Sequence, residues 1–198
     1  DRNLSDLRAQ LAACTRGAEL LAGAAREHGA DVLAAYMNHV LANAEESVRR
    51  LLGGLEDGAF AYEMDNGARV QVAIEIDRAA RSAVFDFTGT SGQLPDNFNA
   101  PRSITRAAAL YVLRTLIDDA IPMNDGCLRP VTLVVPEGSM LNPRPGAAVV
   151  AGNVETSSCI TNALFGALGV LAGSQPTMNN FTFGNTRHQY YETISGGR

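Results

Sequence analysis

The chain has 198 residues and a formal net charge of −5, with 46% hydrophobic and 19% charged residues. That length suits one domain or two and can bury roughly 70% of its unfolded surface, so no disulfide or metal staple is required. The composition excludes wholesale disorder. The mild acidity argues against nucleic acid as a partner, because phosphate binding needs a basic face. The longest nearly apolar run, Ala163 to Ala172, is about half a membrane span, which excludes a transmembrane helix. Cys14, Cys127 and Cys159 are odd in number and form no CxxC, so they read as reduced cytosolic thiols in a cytoplasmic protein. The chain starts at Asp1 with no signal peptide, and is expected to be cut from something longer.

Leu4, Leu7, Leu11, Cys14, Ala18, Leu21 and Ala25 recur at alternating spacings of three and four, which places them on one helical stripe. Asn3 is a candidate N-cap and Gly29 a C-terminal stop. Asp31 then caps a second helix, with Leu33, Met37, Val40, Ala44, Val48 and Leu51 along its stripe and Gly53-Gly54 at its end. A two- or three-residue connection makes the pair an antiparallel hairpin over residues 1–57.

The period then changes. Phe60 to Met64 reads as a strand, Asp65-Asn66-Gly67 as a hairpin turn, and Val70, Val72, Ile74 and Ile76 as a half-buried second strand. Val84 to Thr88 completes a three-stranded antiparallel meander. Gly89 to Pro101 is a loop, and Pro101 opens a helix running to about Asp118. Val131 to Val135 reads as a buried strand. A helix runs from about Glu155 to Ala172, with Gly166, Ala167 and Gly169 suggesting close backbone contact. Two late strands fall near Asn180 to Phe183 and Gln189 to Ile194. The expected fold class is α+β: an N-terminal antiparallel helical hairpin, a three-stranded antiparallel meander, then mixed strands and two further helices, with 58–198 as an α+β region of a larger subunit.

Three polar loops offer chemistry: Asp96-Asn97-Phe98-Asn99, Asn124-Asp125-Gly126 and Gly152 to Ser158. Asparagine amides there could orient a polar substrate, and Glu155 or Asp125 could move a proton. The same residue types are what turns and N-caps require, and each loop taken alone reads first as turn chemistry. His28, His39 and His188 form no HxxxH or HExxH, so no metal site is expected from this chain alone. Ser157 and Ser158 lack the G-x-S-x-G elbow, and Gly89-Thr90-Ser91-Gly92 lacks the lysine of a phosphate loop. Physical reading therefore gives an α+β region without a self-sufficient active site.

Several of these segments carry a resemblance. Asp6 to Ala13, Phe87-Thr88-Gly89-Thr90-Ser91, Asn97-Phe98-Asn99-Ala100, Ile121 to Gly126, Arg129-Pro130-Val131, Pro136 to Ser139, Leu141-Asn142-Pro143, Gly152-Asn153-Val154-Glu155-Thr156-Ser157 and Tyr190 to Gly197, in that order, resemble the hydantoinase B/oxoprolinase family over nearly the whole chain. The resemblance implies an ATP-dependent hydrolase that opens the C–N bond of a small cyclic amide. It acts with a hydantoinase A-type subunit or domain that phosphorylates the amide oxygen to make it a leaving group. It also implies ATP and a divalent metal for the full, oligomeric complex, with neither bound by this fragment. The family's amino-terminal Asn-Asp-Pro and Gly-Gly-Thr-His motifs do not occur here, and its subunits run to several hundred residues. No metal ligand or catalytic residue is carried over, and Asn124, Asn153 and Glu155 are the candidate substrate-binding positions. The alternatives are a fragment of an acetone/acetophenone carboxylase-like subunit, or a non-catalytic assembly region.

Overall fold

The computed structural model describes residues 2–174 and 180–194. The Ser195-Gly196-Gly197 end of the last resembling segment lies outside these residues. Contacts divide the chain into two units, residues 1–43 and 44–198, the division falling within a helix.

The first unit holds α1 (Arg2–His28) and most of α2 (Ala30–Leu52). Both helices stand where the periodicity puts them, but the connection is the single residue Gly29, at φ 88°. The Gly29 amide still donates to the Ala25 carbonyl, and Leu33 donates to Gly29. Helical bonding therefore continues on both sides of the break, and Asn3 and Asp31 lie inside first turns rather than ahead of them. The close packing expected of a hairpin is not there, since no residue of α1 is buried.

The second unit begins with the last third of α2, where Ala44, Val48 and Leu52 are buried. Glu45 takes Arg49 on its own helix at 2.7 Å and Arg129 at 3.3 Å. Those guanidinium partners, Arg49 foremost, hold the Glu45 carboxyl below its ordinary range against the opposing effect of burial. The meander follows as β1 (Gly58–Glu63), β2 (Arg69–Asp77) and β3 (Ser82–Asp86), antiparallel neighbours throughout. Val70, Val72 and Ile74 are buried on one face of β2, as their alternation requires. β4 (Val131–Val134) adds parallel to β3, giving the order β1-β2-β3-β4. As an edge strand it alternates in burial, which corrects the expectation of a strand buried on both faces.

Between β3 and β4 runs α3 (Arg102–Thr115), with Pro101 as its N-cap rather than its first helical residue. It ends before the expected Asp118, where Arg114 turns back to donate to the carbonyls of Ile117, Asp119 and Ile121. α4 (Ser157–Leu168) packs on β1 and β2, and α3 packs on α4. Its start is a π-turn over Gly152–Thr156, and Gly169, left-handed at φ 65°, stops it at Leu168, short of the expected Ala172. The close contact expected from its small residues is present. A Cβ on Gly58 of β1 would stand 2.0 Å from the Ala167 carbonyl oxygen, and one on Gly166 would meet the Phe60 ring at 2.7 Å. The final hairpin, β5 (Asn180–Gly184) and β6 (Gln189–Thr193), is antiparallel and exposed at every position.

Candidate functional site

Many of the polar loops are used to build the frame. Ser91 exchanges backbone bonds with Arg69 and Met140, and its hydroxyl accepts from the Arg69 amide at 2.9 Å. The Thr90 hydroxyl accepts from the Gln71 amide and donates to the Gln71 carbonyl, both at 3.1 Å. The Gly89-Thr90-Ser91-Gly92 run thus ties β2 to the turn at residues 138–142.

Two other loops are joined to each other. Asn99 is fully buried. Its Oδ1 accepts from the Leu94 amide at 2.8 Å, and its Nδ2 donates to the carbonyls of Leu94, Asp96 and Ala148 at 3.0 to 3.1 Å. The Ala151 amide donates to the Asn97 carbonyl, and the Thr156 hydroxyl to the Phe98 carbonyl at 2.6 Å. Gly152 sits so close beneath this loop that a Cβ would meet the Asn99 carbonyl oxygen at 2.5 Å and the Ala100 Cα at 2.9 Å. The Ala151 carbonyl then accepts from the amides of Val154, Glu155 and Thr156, which widens the helix start into the π-turn.

That turn puts Glu155 on a cavity of about 230 Å³, lined also by Tyr62, Met64, Asp65, Asn66, Phe98 and Cys159. Tyr62 comes from β1, and Met64 to Asn66 from the turn into β2. Phe98 comes from the Asn99-clamped loop, and Cys159 from the first turn of α4. Burial pushes the Cys159 thiol from 9.0 up to about 11, with help from the negative charges of Glu155 and Asp65, so it stays protonated and is a poor nucleophile. Burial likewise raises the Tyr62 phenol, reinforced by Cys159 and Asp65, while a hydrogen bond with Asn162 pulls it back. The cavity therefore presents two carboxylates, a phenol that stays protonated and an aromatic face. Such a lining can hold a small polar ring and exchange a proton with it.

Glu155 lines the cavity. Asn153 is in the same π-turn and exposed, but is not among the lining residues. Asn124 is elsewhere, as the N-cap of a 3-10 turn over Asp125–Leu128, its Oδ1 accepting from the Gly126 amide at 2.9 Å. That turn carries Asp125 to an ion pair with Arg106 of α3. In the sequence Asp65 reads as turn chemistry, Tyr62 as a strand residue and Phe98 as part of a polar loop, and only the meeting of the β1–β2 turn with the Asn99 loop brings them to Glu155. Among the described residues, no three of His, Cys, Asp and Glu lie close enough to hold a metal ion. Also among the described residues, no helix is long and apolar enough to cross a membrane.

The joined loops and the cavity they frame belong to a fold of mixed helices and strands, the α+β class. The model of the hydantoinase B/oxoprolinase family matches residues 1–198, and the chain belongs to that family. It is 43% identical to the 5-oxoprolinase of Dictyostelium discoideum, over 98% of this chain and 16% of that protein. It is 42% identical to 5-oxoprolinase 1 of Arabidopsis thaliana, over 98% of this chain and 17% of that one. The chain thus spans about a sixth of the length of these two relatives. The ATP-dependent caprolactamase from Pseudomonas jessenii shares the fold, with a TM-score of 0.69 and 20% identity over 95% of this chain and 35% of that one.

Proposed function

We propose that the chain is part of an ATP-dependent cyclic-amide hydrolase of the 5-oxoprolinase kind, and that the cavity beside Glu155 faces its substrate. The reading is carried by one observation: the Gly152–Thr156 and Asn97–Ala100 loops interlock so that Glu155 opens onto a cavity shared with Asp65 and Tyr62. Identity above 40% to proteins named 5-oxoprolinases favours ring hydrolysis over ketone carboxylation.

In this reading a hydantoinase A-type subunit or domain uses ATP to activate the amide oxygen, and this chain orients the ring. Glu155 holds or relays the proton at the scissile amide, and Asn153, exposed on the same π-turn, helps to bind the ring. Asn124 acts at a distance, by setting the turn that pairs Asp125 with Arg106. ATP and the divalent metal belong to groups beyond the described residues. The enzyme is taken as a cytoplasmic oligomer.

In the complete enzyme, Glu155→Gln is expected to lower kcat for ATP-coupled opening of 5-oxoproline by about 100-fold or more, the range typical of a lost proton-transfer group. Asn153→Ala should act more weakly and mainly on KM. Unchanged turnover of a folded Glu155→Gln enzyme removes the cavity from the site. ATP turnover that requires bicarbonate replaces hydrolysis with the carboxylase reading. Ring opening by the isolated 198-residue chain overturns the dependence on a partner.

A further inference from the structure

Asn162 is a buried amide in the middle of α4, one turn beyond Cys159 and on the same face of the helix. A buried amide has to place its hydrogen-bonding atoms on partners. Its Oδ1 accepts from the Ser174 amide at 3.0 Å and from the Ser174 hydroxyl at 3.4 Å, and its Nδ2 donates to the Ser174 carbonyl at 2.8 Å. A backbone N–H only donates and a backbone carbonyl only accepts, so the two ends of the amide are fixed and cannot be exchanged. Both lone pairs of Oδ1 are taken, and one N–H is spent. What Asn162 has left is a single N–H, and its remaining partner is the Tyr62 phenol.

The phenol oxygen therefore accepts from Asn162. The bond favours the phenolate, as a bond from a donor does. Burial and the charges of Cys159 and Asp65 outweigh it, so the phenol keeps its proton and has it to give elsewhere. Tyr62 lines the Glu155 cavity, whose lining holds two carboxylates and, among the described residues, no Lys, Arg or His. Such a wall repels an anionic group and admits a neutral acceptor. A small-ring amide is held cis and shows its C=O and N–H on one edge, whereas an open-chain amide is trans and shows them on opposite edges. A phenol donor and a carboxylate acceptor in one cavity match the first. We infer that Tyr62 binds substrate by donating its hydroxyl proton to the neutral carbonyl oxygen of a ring amide, and that Asn162, clamped by Ser174, is the positioning residue that turns the hydroxyl into the cavity. The inference rests on the reading of that cavity as the substrate's.

The test is steady-state kinetics of the complete enzyme with ATP and 5-oxoproline. Tyr62→Phe removes only the hydroxyl, and should raise KM for 5-oxoproline about tenfold while leaving KM for ATP unchanged. Asn162→Asp puts an accepting oxygen where the N–H stood and turns the phenol proton back toward α4. It should reproduce the rise, and the double variant should be no worse than either single one, because both remove the same contact. Asn162→Leu, an apolar residue of similar volume that suits a helix, takes its place where the aspartate variant does not fold, with the same expectation. Effects that add in the double variant overturn the positioning role, since a merely structural Asn162 acts independently of the hydroxyl. An unchanged KM for 5-oxoproline in Tyr62→Phe, with Glu155→Gln impaired, overturns the role of Tyr62 and leaves the cavity as the site. Wild-type kinetics in both Tyr62→Phe and Glu155→Gln overturn the two together.

Discussion

Thr105 of α3 has a fully buried side-chain hydroxyl with no hydrogen-bond partner among the described residues. Burying a hydroxyl unpaired costs about 1–3 kcal/mol, and valine replaces it with a methyl of the same shape. Thr105→Val is therefore expected to raise unfolding stability by about 1 kcal/mol, read from the shift of the urea midpoint at constant slope. Cys159 is the converse case, a group whose protonated form the fold prefers. Its folded value of about 11 lies above its ordinary 9.0. Its contribution is thus complete below 9.0, and is lost as pH rises through about 11, because the unfolded chain gains the thiolate first. In the native protein at pH 8, a thiol reagent should modify exposed Cys14 and leave buried Cys127 and Cys159 untouched until denaturant is added. Rapid reaction of all three thiols in the folded state contradicts the burial of Cys159.

At the scale of elements, the seating of α4 on β1 depends on two glycines that fail differently when filled. At Gly58 the obstacle is the Ala167 carbonyl, which is backbone and cannot move without lifting α4. At Gly166 it is the ring of Phe60, a side chain 41% exposed and able to swing outward. Gly58→Ala should therefore cost about 3 kcal/mol and Gly166→Ala about 1 kcal/mol, both measured by chemical denaturation. Equal costs would mean that the helix, not the ring, gives way in both. Gly152 obeys the same logic as Gly58, since the Asn99 carbonyl and Ala100 backbone stand over it. Any side chain there would separate the two loops that position Glu155.

For the whole molecule, the division inside α2 separates a helical unit with almost no interior from one that holds the core. No side chain of α1 is buried, so removing residues 2–28 should leave the urea midpoint of the remaining unit unchanged within about 0.5 kcal/mol. A larger loss would mean that α1 stabilises the core directly. The helices, the meander, the two late strands and the family were all legible in the sequence, because each rests on local periodicity or on short ordered segments. Period-two alternation in β2 and the Asn-Gly turn before it needed no neighbour to be recognised.

Elsewhere, distance along the chain hid the answer. Nothing near Val131 signals that its strand runs parallel to β3, because that pairing is fixed by the return of the chain through α3. Nothing in Gly152 to Ser157 signals a π-turn, because the turn is set by Asn97 and Phe98 more than fifty residues earlier. Of the three candidate positions, Glu155 lines the cavity, whereas Asn124 is an N-cap in another loop. The sequence by itself determined which segments are helix, strand and turn, and which family they belong to. Only the tertiary structure decided which polar residues meet, since a carboxylate's neighbours come from loops whose separation in sequence carries no trace of their separation in space.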